Sequence, residues 1–189
     1  MSHTIMLCFV RSDSTILEES WLNRAASWFA SGDELPYIHA EILFMPPGRS
    51  RGTDDVSGMA CSIVYSGKVH LQQKRFSRKE WRFRSIKVSK GQYDDMLTFC
   101  EDHEGDPFNY IGYFTYWSPL TIKPLWYSYM GMKPRWYCSQ IVVGALKAGQ
   151  CVDSSVSDSM HPNDLYKLIA PRTMADCGRN MNDITLKFV

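Results

Sequence analysis

Hydrophobic positions alternate with polar ones in some stretches of the chain and recur every three or four residues in others, and the switches between these periods predict its elements. The apolar run Thr4–Val10 ends in a polar cluster and predicts a first strand entering the core. Ser12, Asp13 and Ser14 supply capping groups; Leu17, Trp21, Leu22, Ala25 and Trp28 or Phe29 then follow at helical spacing until Gly32, which predicts an amphipathic helix with a glycine stop. Tyr37–Phe44 reads as a strand closed by Pro46-Pro47-Gly48, and residues 48–55 lack any apolar anchor and read as a loop.

Met59–Tyr65, Lys68–Gln73 and Trp81–Val88 predict three further strands that neighbour one another antiparallel, with Ser66-Gly67 as a hairpin turn between the first two. Helical spacing returns over Gln92–His103 and over Tyr137–Gly149, and His161-Pro162-Asn163-Asp164 has the chemistry of a cap and first turn for a short helix through Ile169. Thr185–Val189 could form a last strand. Between the second and third of these helices, residues 108–137 hold eleven of the 25 aromatic residues together with Pro119, Pro124 and Pro134, which suits irregular structure better than a long helix. Strand, helix, several antiparallel strands and then helices give an α+β domain with helices packed on one side of a sheet.

Composition narrows the class without choosing a function. With 189 residues, 44% of them hydrophobic and 22% charged, the chain suits one globular domain; no internal repeat or long linker divides 1–189. A formal charge of +1 commits it neither to nucleic acid nor to an anionic membrane, and no stretch has the apolar length of a spanning helix. The opening MSHTIMLCFV lacks the pattern of a secretory signal, so an intracellular, cytoplasmic location is expected. Cys8, Cys61, Cys100, Cys138, Cys151 and Cys177 are scattered without CxxC spacing, so free thiols are expected.

Two segments carry candidate chemistry. On a strand the side chains of His39 and Glu41 project to one side and those of Ile38, Ala40 and Ile42 to the other. An imidazole beside a carboxylate can act as a general base, because the carboxylate orients the ring and stabilises the imidazolium; the plain alternative is an ordinary polar strand face. Farther on, Pro134-Arg135-Trp136-Tyr137 forms a nonhelical approach that places Cys138 at the first turn of a helix. Unsatisfied N–H groups and the dipole at such a position favour a thiolate and can hold an oxyanion; the plain alternative is a small core residue continuing the face of Ile141, Val142 and Ala145. A nucleophilic cysteine needs a nearby histidine, so each segment supplies what the other lacks.

A strand-borne histidine followed much later by Tyr137-Cys138-Ser139-Gln140-Ile141-Val142 resembles the circularly permuted branch of the NlpC-type papain-like superfamily, known in bacteria and large DNA viruses. Gly105-Asp106-Pro107-Phe108-Asn109-Tyr110 is similar to a Gly-x-Pro-Tyr-Asp stretch of that branch, with Phe108 in place of tyrosine. The resemblance covers roughly residues 35–150 and implies a papain-like fold, Cys138 as nucleophile, His39 as base and Glu41 as the orienting residue. The lecithin retinol acyltransferase-like branch shares the order of histidine and cysteine, but its Asn-Cys-Glu-His motif is missing here.

On this reading residues 111–135 are an enlarged aromatic insertion, and Tyr137, Trp136, Phe108 and Tyr110 are expected to contact substrate. The expected activity is thiol-dependent hydrolysis of a peptide or amide, with a lipid-directed acyltransferase or thioesterase, or a catalytically silent interaction module, as alternatives. Neither cofactor nor metal is expected, since Cys138, His39 and Glu41 fall short of a structural zinc set. The basic run from Lys74 to Arg84 is expected to pair with the acidic helix carrying Asp94, Asp95, Glu101, Asp102 and Glu104 rather than to bind nucleic acid. Partners are thus a peptide, amide or acyl-lipid substrate, with peripheral lipid contact left open.

Overall fold

A computed structural model describes residues 3–11, 14, 36–46, 55–63, 67–115 and 126–169. Apart from Ser14, the helix expected over residues 12–32 lies outside the described residues, as do the loop 48–54, the Ser66 half of the hairpin turn and the strand Thr185–Val189.

The described chain is α+β. Five strands, β1 (His3–Arg11), β2 (Tyr37–Phe44), β3 (Asp55–Ser62), β4 (His70–Ser77) and β5 (Trp81–Val88), form an antiparallel sheet in the order β4-β3-β2-β1-β5. Alternate side chains of β1 enter two cores: Ile5, Leu7 and Phe9 face the helices, and Met6, Cys8 and Val10 face a second cluster with Leu43, Val56, Ala60, Phe76 and Trp81. A strand buried on both faces belongs at the centre, which accounts for its uninterrupted apolar run.

One expected pairing is corrected. β3 and β4 are antiparallel neighbours, but β5 lies at the opposite edge beside β1. Flat, a five-stranded sheet would separate its edges by roughly 19 Å. The three residues Arg78–Glu80 between β4 and β5 allow about 14 Å at most. The sheet therefore curls until its edges approach, and Phe76 and Trp81 meet edge to face across the gap with centroids 4.8 Å apart. The second cluster fills the inside of this curl. β3 and β4 also run beyond the apolar stretches that suggested them, since Asp55↔Ser77 and Val56↔Phe76 continue a ladder that backbone hydrogen bonds extend regardless of side-chain polarity.

The helices cover the other face. They are α1 (Lys90–Asp102), α2 (Tyr110–Thr115), α3 (Trp126–Tyr129), α4 (Cys138–Ala148) and α5 (Pro162–Leu168). Ser89 caps α1 through the Gln92 N–H, and the Gln92 side chain returns a bond to the Ser89 N–H. α4 is buried along Ile141, Val142, Val143, Ala145 and Leu146, and a Cβ at Gly144 would stand 2.5 Å from the Phe99 ring of α1, so glycine sets how closely these helices pack. No helix among the described residues is long and apolar enough to cross a membrane.

Candidate active site

Cys138 opens α4, and the approach to it is fixed from two directions. Upstream, the Asn109 N–H donates to Trp136 O at 2.8 Å and the Trp136 N–H to Pro107 O at 3.1 Å, tying the chain before the cysteine to the segment 106–109. The Trp136 indole N–H donates to Asp106 Oδ2 at 3.1 Å, a carboxylate also held by His103 Nδ1 at 2.8 Å. Within the first turn, Gln140 Oε1 accepts from the Tyr137 N–H at 3.2 Å and from Asn109 Nδ2 at 3.1 Å, while Asn109 Oδ1 accepts from the Gly112 N–H and the Tyr127 hydroxyl. Downstream, the Ser139 hydroxyl donates to Met160 O, which brings the start of α5 against α4. The first intrahelical bond runs from Ile141 N to Tyr137 O, so the N–H groups of Cys138, Ser139 and Gln140 point out of the helix start without an intrahelical acceptor.

His39 and Glu41 share a face of β2, as strand alternation requires. In register they stand opposite Val10 and Cys8 of β1, on the inner side of the curl. The ladder between β2 and β3 covers only Ile42–Phe44, so the N-terminal half of β2 projects past it toward α4 and α5; Asn163 Oδ1 of α5 accepts the Tyr37 N–H. There the Cys138 side chain is a close neighbour of the His39 imidazole and acts on its charge.

One ring nitrogen is already engaged. His39 Nε2 lies 3.1 Å from Glu41 Oε1 and 3.3 Å from Ser62 Oγ. An ionised carboxylate only accepts, so Nε2–H donates to Glu41, which leaves Nδ1 as the nitrogen able to exchange a proton. Glu41 is 1% exposed, and its Oε1 also takes Lys74 Nζ at 2.5 Å. Its second oxygen has no hydrogen-bond partner among the described residues. Trp81 closes the inner side of the group, with its ring 6.1 Å from the imidazole and 5.4 Å from Lys74 Nζ.

These contacts set the protonation states. Burial pushes His39 down, but the nearby Cys138, followed by the hydrogen bond and charge of Glu41, outweighs it and raises the imidazole from 6.5 to about 10. Burial likewise raises Glu41, yet His39 and then Lys74 bring it below the ordinary 4.5. The result is a buried carboxylate kept ionised by two cationic donors, one of which also neighbours the sulfur at a helix start.

The sequence-predicted residues are thus not equally placed. His39, Glu41 and Cys138 come together. Of the four aromatic residues expected to contact substrate, Phe108, Trp136 and Tyr137 are buried in the main apolar cluster, and Tyr110 is exposed. The basic run is corrected too: Lys74 pairs with Glu41 and Arg75 with Asp55, neither partner on the acidic helix α1. Lys74, Ser62 and Trp81 were not anticipated as neighbours of His39. Strand parity was the available signal for Lys74, which shares the inner face with Phe76 and stands opposite Gly58, a residue with no side chain to block its path over β3. Among the described residues no cluster of His, Cys, Asp and Glu has the makings of a metal site. Neither family models, curated proteins nor solved structures provide a match to this chain.

Proposed function

We propose that the protein is a cysteine hydrolase of the circularly permuted, NlpC-type papain-like kind, acting on a peptide or amide bond. The observation that carries this reading is the His39 imidazole bonded to buried Glu41 and neighboured by Cys138, whose sulfur sits at the start of α4.

The chemistry follows from the contacts. With the Cys138 proton held on His39, the thiolate attacks the carbonyl carbon as the C=O electron pair moves onto oxygen. The Cys138 N–H, free of an intrahelical acceptor, donates to that oxyanion. Collapse breaks the C–N bond, and the imidazolium returns its proton to the leaving amine. Neutral His39 then deprotonates water, which attacks the thioester and releases the acid and the thiol. Glu41 holds the ring in the useful tautomer throughout, and Lys74 keeps Glu41 charged. A second reading, in which the acyl donor is a lipid ester or thioester, draws support from the exposed Tyr110, Ile111 and Phe114 close to the helix that carries the sulfur.

Alkylation by iodoacetamide, followed residue by residue with mass spectrometry, tests the proposal. Cys138 is expected to react fastest and to slow strongly in His39→Ala; uniformly sluggish thiols would leave a silent binding module instead. Peptidoglycan fragments, ubiquitin-like conjugates and acyl lipids, offered to the active protein, separate the amide from the lipid reading.

A further inference from the structure

Every large hydrophobic side chain exposed among the described residues falls in one part of the chain: Tyr110, Ile111 and Phe114 on α2, and Tyr129, Met130 and Met132 on α3 and the turn after it. Tyr129 is 88% exposed. The two groups are joined at Asn109, whose Oδ1 accepts from Gly112 N of α2 and from the Tyr127 hydroxyl of α3. The same asparagine donates to Gln140 in the first turn of α4, so the apolar surface is coupled to the segment that carries Cys138. Scattered exposed hydrophobics are ordinary on protein surfaces, whereas a collection confined to two adjoining short helices marks a surface with a partner.

Charge identifies the partner. From Pro107 to Val152 the sequence contains no aspartate or glutamate, but it contains Lys123, Lys133 and Arg135, besides Lys147, which pairs with Asp158 away from this surface's aromatic residues in sequence. Lys133 is exposed directly after Met132, and the Arg135 guanidinium lies 5.2 Å from the Tyr127 ring centre, beside α3. A second copy of the chain laid face to face on this surface would oppose cation with cation and offer no carboxylate in return. A bilayer bearing anionic headgroups meets both requirements: tyrosine and methionine enter the boundary between headgroups and acyl chains while lysine and arginine remain at phosphate level. Tyrosine in particular favours that boundary because its ring is apolar and its hydroxyl stays wet.

We infer that the α2–α3 surface docks the protein on an anionic lipid bilayer, laying the start of α4 toward the membrane. The interaction does not depend on the reactivity of Cys138, so the full chain carrying Cys138→Ala is the protein to test. Flotation with vesicles of phosphatidylcholine mixed with phosphatidylserine should recover this protein, and vesicles of phosphatidylcholine alone should recover far less. Lys133→Glu should weaken binding at least fivefold, because one basic residue near such a surface contributes about that factor and reversal adds repulsion. The exposed triple substitution Tyr129→Ser, Met130→Ser, Met132→Ser should weaken it more than tenfold, while an unchanged thermal melt shows that the fold is intact. Raising salt should release the protein.

Absence of vesicle binding by the folded Cys138→Ala chain overturns the inference, as does equal binding to both kinds of vesicle. So does a concentration-dependent dimer in sedimentation that the triple substitution abolishes, since a second copy would then cover the surface. Failure of the hydrolase proposal reads out separately, as slow alkylation of Cys138 in the unsubstituted chain.

Discussion

Among the described residues two histidine–carboxylate pairs have nearly the same geometry, and one of them neighbours the sulfur of Cys138. His39 and Glu41 are held at 3.1 Å and His103 and Asp106 at 2.8 Å. The second pair is the shorter, yet its carboxylate also accepts the Trp136 indole, and the imidazole lies against the rings of Phe99 and Trp136 at 4.5 and 4.7 Å. Its task is to pin Trp136, and with it the chain entering α4. His39 instead has one nitrogen on a carboxylate and has Cys138 as a neighbour. A buried carboxylate can orient any imidazole; whether the pair does chemistry depends on what the remaining nitrogen meets.

The largest separation of the two pairs should come from removing each ring. His39→Ala is expected to lower turnover by about 10⁴-fold, the upper end of what a positioned general base contributes. Alkylation of Cys138 should slow in parallel. Comparable loss on removing His103 would erase the distinction.

Next comes the charge state of His39 itself. Its imidazole is raised to about 10 against 6.5 in an unfolded chain, so the folded protein retains a proton that the unfolded chain gives up. The resulting stabilisation is fully present below about pH 6.5 and is lost as pH rises through about 10. Because Cys138 supplies the foremost raising influence and burial acts the other way, Cys138→Ala should move the His39 titration, followed by NMR, down by at least one pH unit. Glu41→Gln should lower turnover about 10²–10³-fold, since an amide neither fixes the Nε2–H tautomer as firmly nor balances an imidazolium.

Lys74 has a smaller part, and it acts through Glu41. Lys74→Met removes one of two cationic donors from a buried carboxylate. Glu41 should then protonate at higher pH, because burial would be opposed by His39 alone. The expected signature is about a tenfold loss of turnover at pH 5, shrinking toward neutral pH, with the acid limb of the pH–rate profile displaced upward. A uniform loss at every pH would make Lys74 a packing residue only.

Much of this site was readable from short stretches of sequence, because its parts obey local rules. β2 runs over the residues its alternation indicated, Tyr37–Phe44, and alternation alone placed His39 with Glu41. The nonhelical approach Pro134–Tyr137 located the start of α4 at Cys138. What stayed hidden depends on pairing between distant segments. Trp81–Val88 was legible as a strand, but its place beside β1 follows from the curling of the whole sheet, which no local pattern records. Lys74 and Trp81 reach His39 only because that curl brings both edges over β2. Phe108, Trp136 and Tyr137 invited a substrate role through aromatic content alone, and content does not separate an exposed ring from one packed in the core.

The smallest expected effect on the sulfur belongs to His103→Ala, and its smallness is informative. The substitution leaves Asp106 with the Trp136 indole as its remaining side-chain donor and takes an aromatic neighbour from Phe99. Loss of a charge-assisted bond in a largely buried setting should cost about 1–3 kcal/mol, visible as an earlier midpoint in urea. Trp136 retains its backbone bond to Pro107 and its packing in the main core, so the chain leading into α4 should hold its course. Alkylation of Cys138 in the folded variant should therefore stay within about twofold of the unsubstituted protein, well under the loss that a missing base produces. A large fall in reactivity without loss of stability would mean that the short pair at 103 and 106 acts on the nucleophile, and that the neighbour of the second nitrogen is not what distinguishes the two histidines.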